Sequence, residues 1–131
     1  MKRRLLTAAI DSATLDSCLM AARNTHPDEF IGLLRGEERN GVVGVSGLLL
    51  APFAEFHPDH SSFSEWHLPA GLGAVGTVHS HPNGVLLPSR QDKLLFGRSG
   101  PAHLILGPPY ARSSAAFFGR DGKPLEFAIE G

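Results

Sequence analysis

The stretch Ala74-Val75-Gly76-Thr77-Val78-His79-Ser80-His81-Pro82-Asn83-Gly84-Val85-Leu86-Leu87-Pro88-Ser89-Arg90-Gln91-Asp92 changes character twice. Its first part, through His81, is rich in valine and threonine and reads as a strand. Pro82-Asn83-Gly84 stops that strand in a turn. Ser89 then opens a helix through Phe96 or Gly97, with Leu94 and Leu95 as its apolar stripe.

Working outward, Leu15, Cys18, Leu19 and Ala22 recur at helical spacing. Asp11 or Ser12 can cap that helix, and His26-Pro27 closes it, because the residue before proline avoids the helical region. Glu29 to Gly36 is a short, mostly apolar run ended by glycine and reads as a strand; Gly36 to Gly41 turns the chain. Val42 to Leu50 is a second, β-branched run. Residues 51–69, rich in Phe, Pro, Ser and His, read as a loop with a short strand near Phe63-Trp66. His103 to Leu106 is strand-like. Ala115 to Phe118 and Leu125 to Ile129 flank Gly119-Arg120-Asp121-Gly122 as a hairpin with an Asp-Gly turn. The order predicts one α/β sandwich over residues 1–131, its sheet mainly antiparallel at the C-terminal end.

Composition sets limits on function. Twelve Lys plus Arg against thirteen Asp plus Glu give a formal charge of −1 in 131 residues. That balance disfavours a nucleic-acid or electrostatic membrane binder. The single cysteine, Cys18, excludes an internal disulfide and a multi-cysteine zinc finger; on a helix face it reads as a buried residue and not a nucleophile. The N-terminal Lys2-Arg3-Arg4-Leu5-Leu6-Thr7-Ala8-Ala9-Ile10 imitates a secretory signal, but its apolar run ends at Asp11, short of the roughly 7–15 residues needed. With no stretch approaching the ~18 apolar residues of a membrane span, a cytoplasmic protein is expected.

Seven histidines are many for this length. His79 and His81, alternate residues of a strand, point to one face with Cβ atoms about 6.5–7 Å apart, close enough for both rings to hold one ion. Asp92 in the first turn of the following helix can return as a third ligand. Two histidines and a carboxylate leave a fourth zinc position open, the layout of a catalytic zinc. Each piece has a simpler reading: two histidines lining a polar sheet face, and Ser89-x-x-Asp92 as a capping box. A proton acceptor outside the coordination shell is also needed, and Glu29 and Asp28 are both candidates.

His79-x-His81, seven residues, Ser89, two residues and Asp92 together resemble the signature of the JAMM (MPN-plus) metallopeptidases. The upstream Pro27-Asp28-Glu29-Phe30-Ile31-Gly32-Leu33-Leu34-Arg35-Gly36 resembles the segment carrying that family's catalytic glutamate. The resemblance extends from about Asp11 to Phe127 and is best to short archaeal and bacterial members that cleave ubiquitin-like modifiers or sulfur-carrier proteins. It implies a cytidine-deaminase-like α/β sandwich around a curved, mixed, largely antiparallel sheet flanked by helices. It also implies one zinc ion per chain held by His79, His81 and Asp92, with Glu29 as general acid/base and Ser89 as a hydroxyl helping to hold the oxyanion. The partner it implies is a ubiquitin-like modifier on a lysine or a C-terminal fusion; the alternative is a sulfur-carrier protein from which an amino acid such as cysteine is released. A reading of another class is a non-catalytic MPN scaffold, whose relatives usually lack a ligand that this chain retains.

Other histidines carry less. His57-Pro58-Asp59-His60, with His67 beyond, reads as a surface loop and not an ordered metal site. Phe56 and Trp66 either contact an extended substrate or pack under that loop, and packing is the favoured reading for Phe63. His26 and His103 are read as structural, and Ser80, facing away from the histidines, as a packing or hydrogen-bonding residue.

Overall fold

The structure is a computed structural model that describes residues 5–50 and 73–131. The loop 51–69 lies outside the described residues, with His57, Asp59, His60, His67 and the aromatics Phe56, Phe63 and Trp66, as do residues 1–4 of the signal-like start. The elements run β1 (Thr7–Asp11), α1 (Ser12–Thr25), β2 (Ile31–Arg39), β3 (Val42–Leu50) and β4 (Ala74–Ser80). They continue through a short helix that we call α2 (Arg90–Phe96), β5 (Ala102–Leu106), a 3-10 turn (Arg112–Ser114), β6 (Ala115–Phe118), β7 (Pro124–Leu125) and β8 (Phe127–Glu130). Among the described residues no helix is long and apolar enough to cross a membrane.

Among the described residues eight strands form one mixed sheet in the order β7-β6-β5-β4-β2-β3-β1-β8. Pairings of β1 with β3, β1 with β8 and β4 with β5 are parallel; the other four are antiparallel. β7 and β8 lie at opposite edges of the sheet, yet only Glu126 separates them in the chain. The sheet therefore curls until its edges approach, and the Phe117 and Phe127 rings meet there with centroids 5.1 Å apart.

Among the described residues, α1 and α2 cover opposite faces of the sheet. Leu15, Cys18, Leu19 and Ala22 of α1 share a core with Leu104 and Leu106 of β5, whereas the intervening Ile105 packs with Leu95 and Phe96 of α2. Alternation along one strand thus assigns each helix a side. Asp11 caps α1 by accepting from the Thr14 N–H at 2.6 Å, and His26 ends it. Burial pushes the Cys18 thiol up to about 12, so it stays protonated and inert inside that core.

Three expectations need correction. The expected strand Glu29–Gly36 starts at Ile31 and runs on to Arg39, with a bulge between Arg35 and Gly36. Its turn is the pair Asn40-Gly41 with φ of 54° and 81°, the left-handed conformation of a tight two-residue hairpin. The expected second hairpin strand, Leu125 to Ile129, is divided: Leu125 pairs with β6 together with the preceding Pro124, and Phe127–Glu130 crosses to pair in parallel with β1. Finally, Thr7–Asp11, met in sequence as part of a signal-like stretch, is an interior strand between β3 and β8.

Candidate metal centre

His79 is the penultimate residue of β4, flanked in register by Ile31 of β2 and Ile105 of β5, and its side chain is 2% exposed. The strand can sit this deep because Gly76 lies against the Ala102 carbonyl, where a Cβ would come within 1.4 Å. His81 follows the strand but remains tied to it, its N–H donating to the Leu106 carbonyl at 2.8 Å. The turn beyond has a purpose legible in its residues. Gly84 at φ +83° donates its N–H to the His81 carbonyl, and Asn83 Oδ1 accepts from the Val85 N–H. This brings the Val85 carbonyl back over the ring, where His81 Nδ1 meets it at 2.7 Å. A carbonyl only accepts, so Nδ1 carries the proton and the Nε2 lone pair is free to bind a cation.

Asp92 is delivered by a capping box at the start of α2. Ser89 Oγ accepts from the Asp92 N–H at 3.1 Å, and the Ser89 N–H donates to Asp92 Oδ2 at 2.8 Å. The capping and ligand readings of Ser89-x-x-Asp92 therefore coexist: the box is what aims the carboxylate. Its oxygens reach His79 Nε2 at 3.3 Å and His81 Nε2 at 3.1 Å, and the two Nε2 atoms are 3.0 Å apart. Glu29, just ahead of β2, is exposed, and a carboxylate oxygen of it lies with the two histidine nitrogens in a group whose members are all within 4.8 Å of one another. Asp28 is exposed and belongs to no such group among the described residues.

The electrostatics favour a cation here. Burial alone would raise the Asp92 carboxyl, but without a cation the imidazoles of His79 and His81, which take up a proton at Nε2 against the carboxylate, and the Ser89 N–H outweigh it and hold Asp92 well below the usual carboxylate range; a cation takes the place of that proton. Burial likewise opposes charge on His81, yet Asp92, the Val85 carbonyl and the nearby Glu29 together raise its pKa. The donor set also passes a geometric test. Zinc bonds of about 2.0–2.1 Å in a tetrahedron place neighbouring donors about 3.3 Å apart, close to the 3.0–3.3 Å separations of these atoms. His79, His81 and Asp92 thus fit a zinc ion, with Glu29 beside them and Ser89 exposed at the rim.

Residues 11–118 match the family described as prokaryotic homologs of the JAB domain. The chain belongs to that family. A probable metalloprotease of Haloferax volcanii is 40% identical over 134 residues, covering 97% of this chain and 81% of that protein. A JAB1/MPN domain protein of Archaeoglobus fulgidus superimposes with a TM-score of 0.72 at 32% identity, over 96% of this chain and 100% of that one. A structure reported as JAMM, a metalloprotease-like zinc site in the proteasome and signalosome, gives 0.70 at 31%, over 97% and 99%. The JAB-domain chain is a JAMM-type zinc metallopeptidase.

Sequence reasoning brought Glu29, His79, His81, Ser89 and Asp92 to attention, and the fold brings all five to one place. It did not find two supporting groups. The Val85 carbonyl is chemically silent in sequence. Ser80 is buried, and its Oγ accepts from the Phe30 N–H at 2.8 Å; strand parity places it away from the histidines but does not name its partner.

Proposed function

We propose that this peptidase hydrolyses the amide joining a ubiquitin-like modifier to a lysine or to a C-terminal extension, with zinc held by His79, His81 and Asp92. The observation that carries the reading is the division of labour between two carboxylates. Asp92 is in contact with both Nε2 atoms, while Glu29 is exposed with an oxygen within 4.8 Å of the same histidine nitrogens, near enough to meet a water held between them. When bound, zinc supplies a Lewis acid that polarises a carbonyl and brings the pKa of water toward about 7. Glu29 takes the proton of the attacking water and returns it to the departing amine as the carbon–nitrogen bond breaks. The Ser89 hydroxyl already accepts the Asp92 N–H, so its own proton remains to donate to the carbonyl oxygen as charge gathers there. No side chain forms a covalent intermediate, in keeping with a Cys18 that is buried and protonated.

Glu29 and Ser89 are exposed and His81 is partly so, which leaves the site open to a substrate carbonyl arriving from solvent. Incubation with ubiquitin-like conjugates, with and without chelator, is expected to yield free modifier only in the metal-loaded sample, read by fragment mass. Release of an amino acid from a sulfur-carrier protein, with the conjugates left intact, would reassign the substrate. Glu29→Gln is expected to keep stoichiometric zinc and to lose turnover by a factor of about 10²–10⁴; a fully active variant rejects the role given to Glu29.

A further inference from the structure

Glu29 precedes β2 and gains no orientation from the sheet ladder itself. What fixes the chain at this point is its neighbour. Phe30 is anchored twice by Ser80: the Phe30 N–H donates to Ser80 Oγ at 2.8 Å, and the Ser80 N–H donates to the Phe30 carbonyl at 2.9 Å. The Phe30 ring is buried in the α1-side core, and Ser80 is wholly buried. The residue gripping Phe30 is thus the one between His79 and His81, whose side chain strand parity sends to the face opposite the histidines.

We infer that Ser80 is the positioning residue for Glu29, coupling the placement of the glutamate to that of both histidines through one hydroxyl. The inference rests on the proton-carrier reading of Glu29. Its physical basis is the missing ladder acceptor. Just outside the strand, the Phe30 N–H is a buried donor that needs a partner, and a serine oxygen supplies it at a place where regular pairing does not. With alanine there, only the Phe30 carbonyl of the following peptide stays bonded to residue 80, and the Glu29–Phe30 peptide can pivot. A displacement of about 1 Å of a catalytic group costs on the order of 10²-fold in rate. The ligand set does not depend on this bond, because His79, His81 and Asp92 are held by β4, the Val85 carbonyl and the capping box.

The test uses the full chain loaded with zinc, or with cobalt(II) for spectroscopy, and a ubiquitin-like modifier joined to a fluorescent lysine peptide as the activity probe. In Ser80→Ala, hydrogen exchange at the Phe30 amide is expected to accelerate at least about tenfold while β4 and β5 keep their protection. Metal stoichiometry and the cobalt spectrum stay as in the wild type, and kcat falls about 10–100-fold with KM within about twofold. Ser80→Thr, which retains the acceptor oxygen, restores kcat to within about threefold. In a Glu29→Gln background Ser80→Ala adds nothing, because both changes act through one group. Should Ser80→Ala not fold, Ser80→Cys, whose sulfur is a weak acceptor, is expected to show the same pattern at smaller size. Wild-type turnover in the Ala or Cys variant, alongside an inactive Glu29→Gln, overturns the inference and leaves the Glu29 reading standing. So does loss of cobalt together with activity, which would make Ser80 a general support of the site. An active Glu29→Gln overturns the Glu29 reading itself, and this inference with it.

Discussion

Two buried histidines on neighbouring strands, His79 of β4 and His103 of β5, face the same side of the sheet, and they have opposite fates. Thr77 and His79 are alternate residues of β4; Thr77 pairs in register with His103 and His79 with Ile105. Phe96 touches both rings, stacking on His103 at 4.1 Å and lying tilted against His79 at 6.1 Å. His103 is complete within the protein: its Nε2–H donates to the Gly100 carbonyl, and its Nδ1 accepts from the Thr77 hydroxyl and N–H. His79 is not. Its Nε2 confronts another imidazole nitrogen at 3.0 Å and a carboxylate at 3.3 Å, and its Nδ1 has no partner among the described residues. A core histidine is recognised by having every lone pair and proton accounted for; a ligand is recognised by donor atoms that converge with too few protons to share.

The sharpest way to break this comparison is to remove the cation. His79→Ala is expected to bring zinc from about one per chain to a small fraction of that, measured by metal analysis of purified protein. Chelator should lower the melting temperature of the wild type by about 10 °C, the consequence of losing a ligand present at about 100 times its Kd, and should not move the variant. A wild type that binds no zinc and melts identically in chelator would place His79 in the same class as His103.

His103→Leu probes the other side of the contrast. It leaves the Thr77 hydroxyl and N–H without their acceptor and is expected to destabilise by about 2–4 kcal/mol in denaturant titrations while zinc stays stoichiometric. The same residue carries a pH signature. Burial, first of all, lowers its pKa to about 4 from an ordinary 6.5. Above pH 6.5 the ring is neutral folded or unfolded and costs nothing. Below 6.5 the unfolded chain takes up a proton that the folded one refuses, so stability falls until about pH 4, where both forms are protonated. The lost stability approaches about 3 kcal/mol. Measured in chelator, the difference between wild type and His103→Leu should shrink across that window; a constant difference would mean that His103 is not held neutral.

How far all this could be read from sequence depends on how local each feature is. The Val42–Leu50 and Ala115–Phe118 strands and the capped α1 stripe were visible because periodicity and turn residues are local signals. So was the convergence of His79, His81 and Asp92, which lie in one strand–turn–helix passage. The Asn40-Gly41 turn was equally available and would have extended β2 to Arg39 had the pair been weighed above Gly36. β1 was hidden because Thr7-Ala8-Ala9-Ile10 has no polar–apolar alternation and its two alanines dilute the β-branched Thr7 and Ile10; it becomes a strand only between β3 and β8, whose residues are distant in sequence. Tertiary pairing overrides propensity there. The grip of Ser80 on Phe30 spans fifty positions and was invisible for the same reason.

Ser89 offers the smallest change in stability and the finest discrimination, because two functions fall on one hydroxyl. As a cap it accepts the Asp92 N–H, and removing it in Ser89→Ala should cost about 1 kcal/mol of stability. The backbone half of the box survives, since the Ser89 N–H still donates to Asp92 Oδ2, so zinc should remain bound. As the proposed donor to the carbonyl oxygen, the same hydroxyl should be worth about 10²–10³ in kcat. Ser89→Asp separates the two: its carboxylate caps as well as serine does but offers no proton at neutral pH. We expect it to recover the melting temperature and not the turnover, whereas Ser89→Thr recovers both. If turnover returns with stability in Ser89→Asp, the hydroxyl serves the helix alone, and stabilisation of the carbonyl oxygen must come from elsewhere in the site.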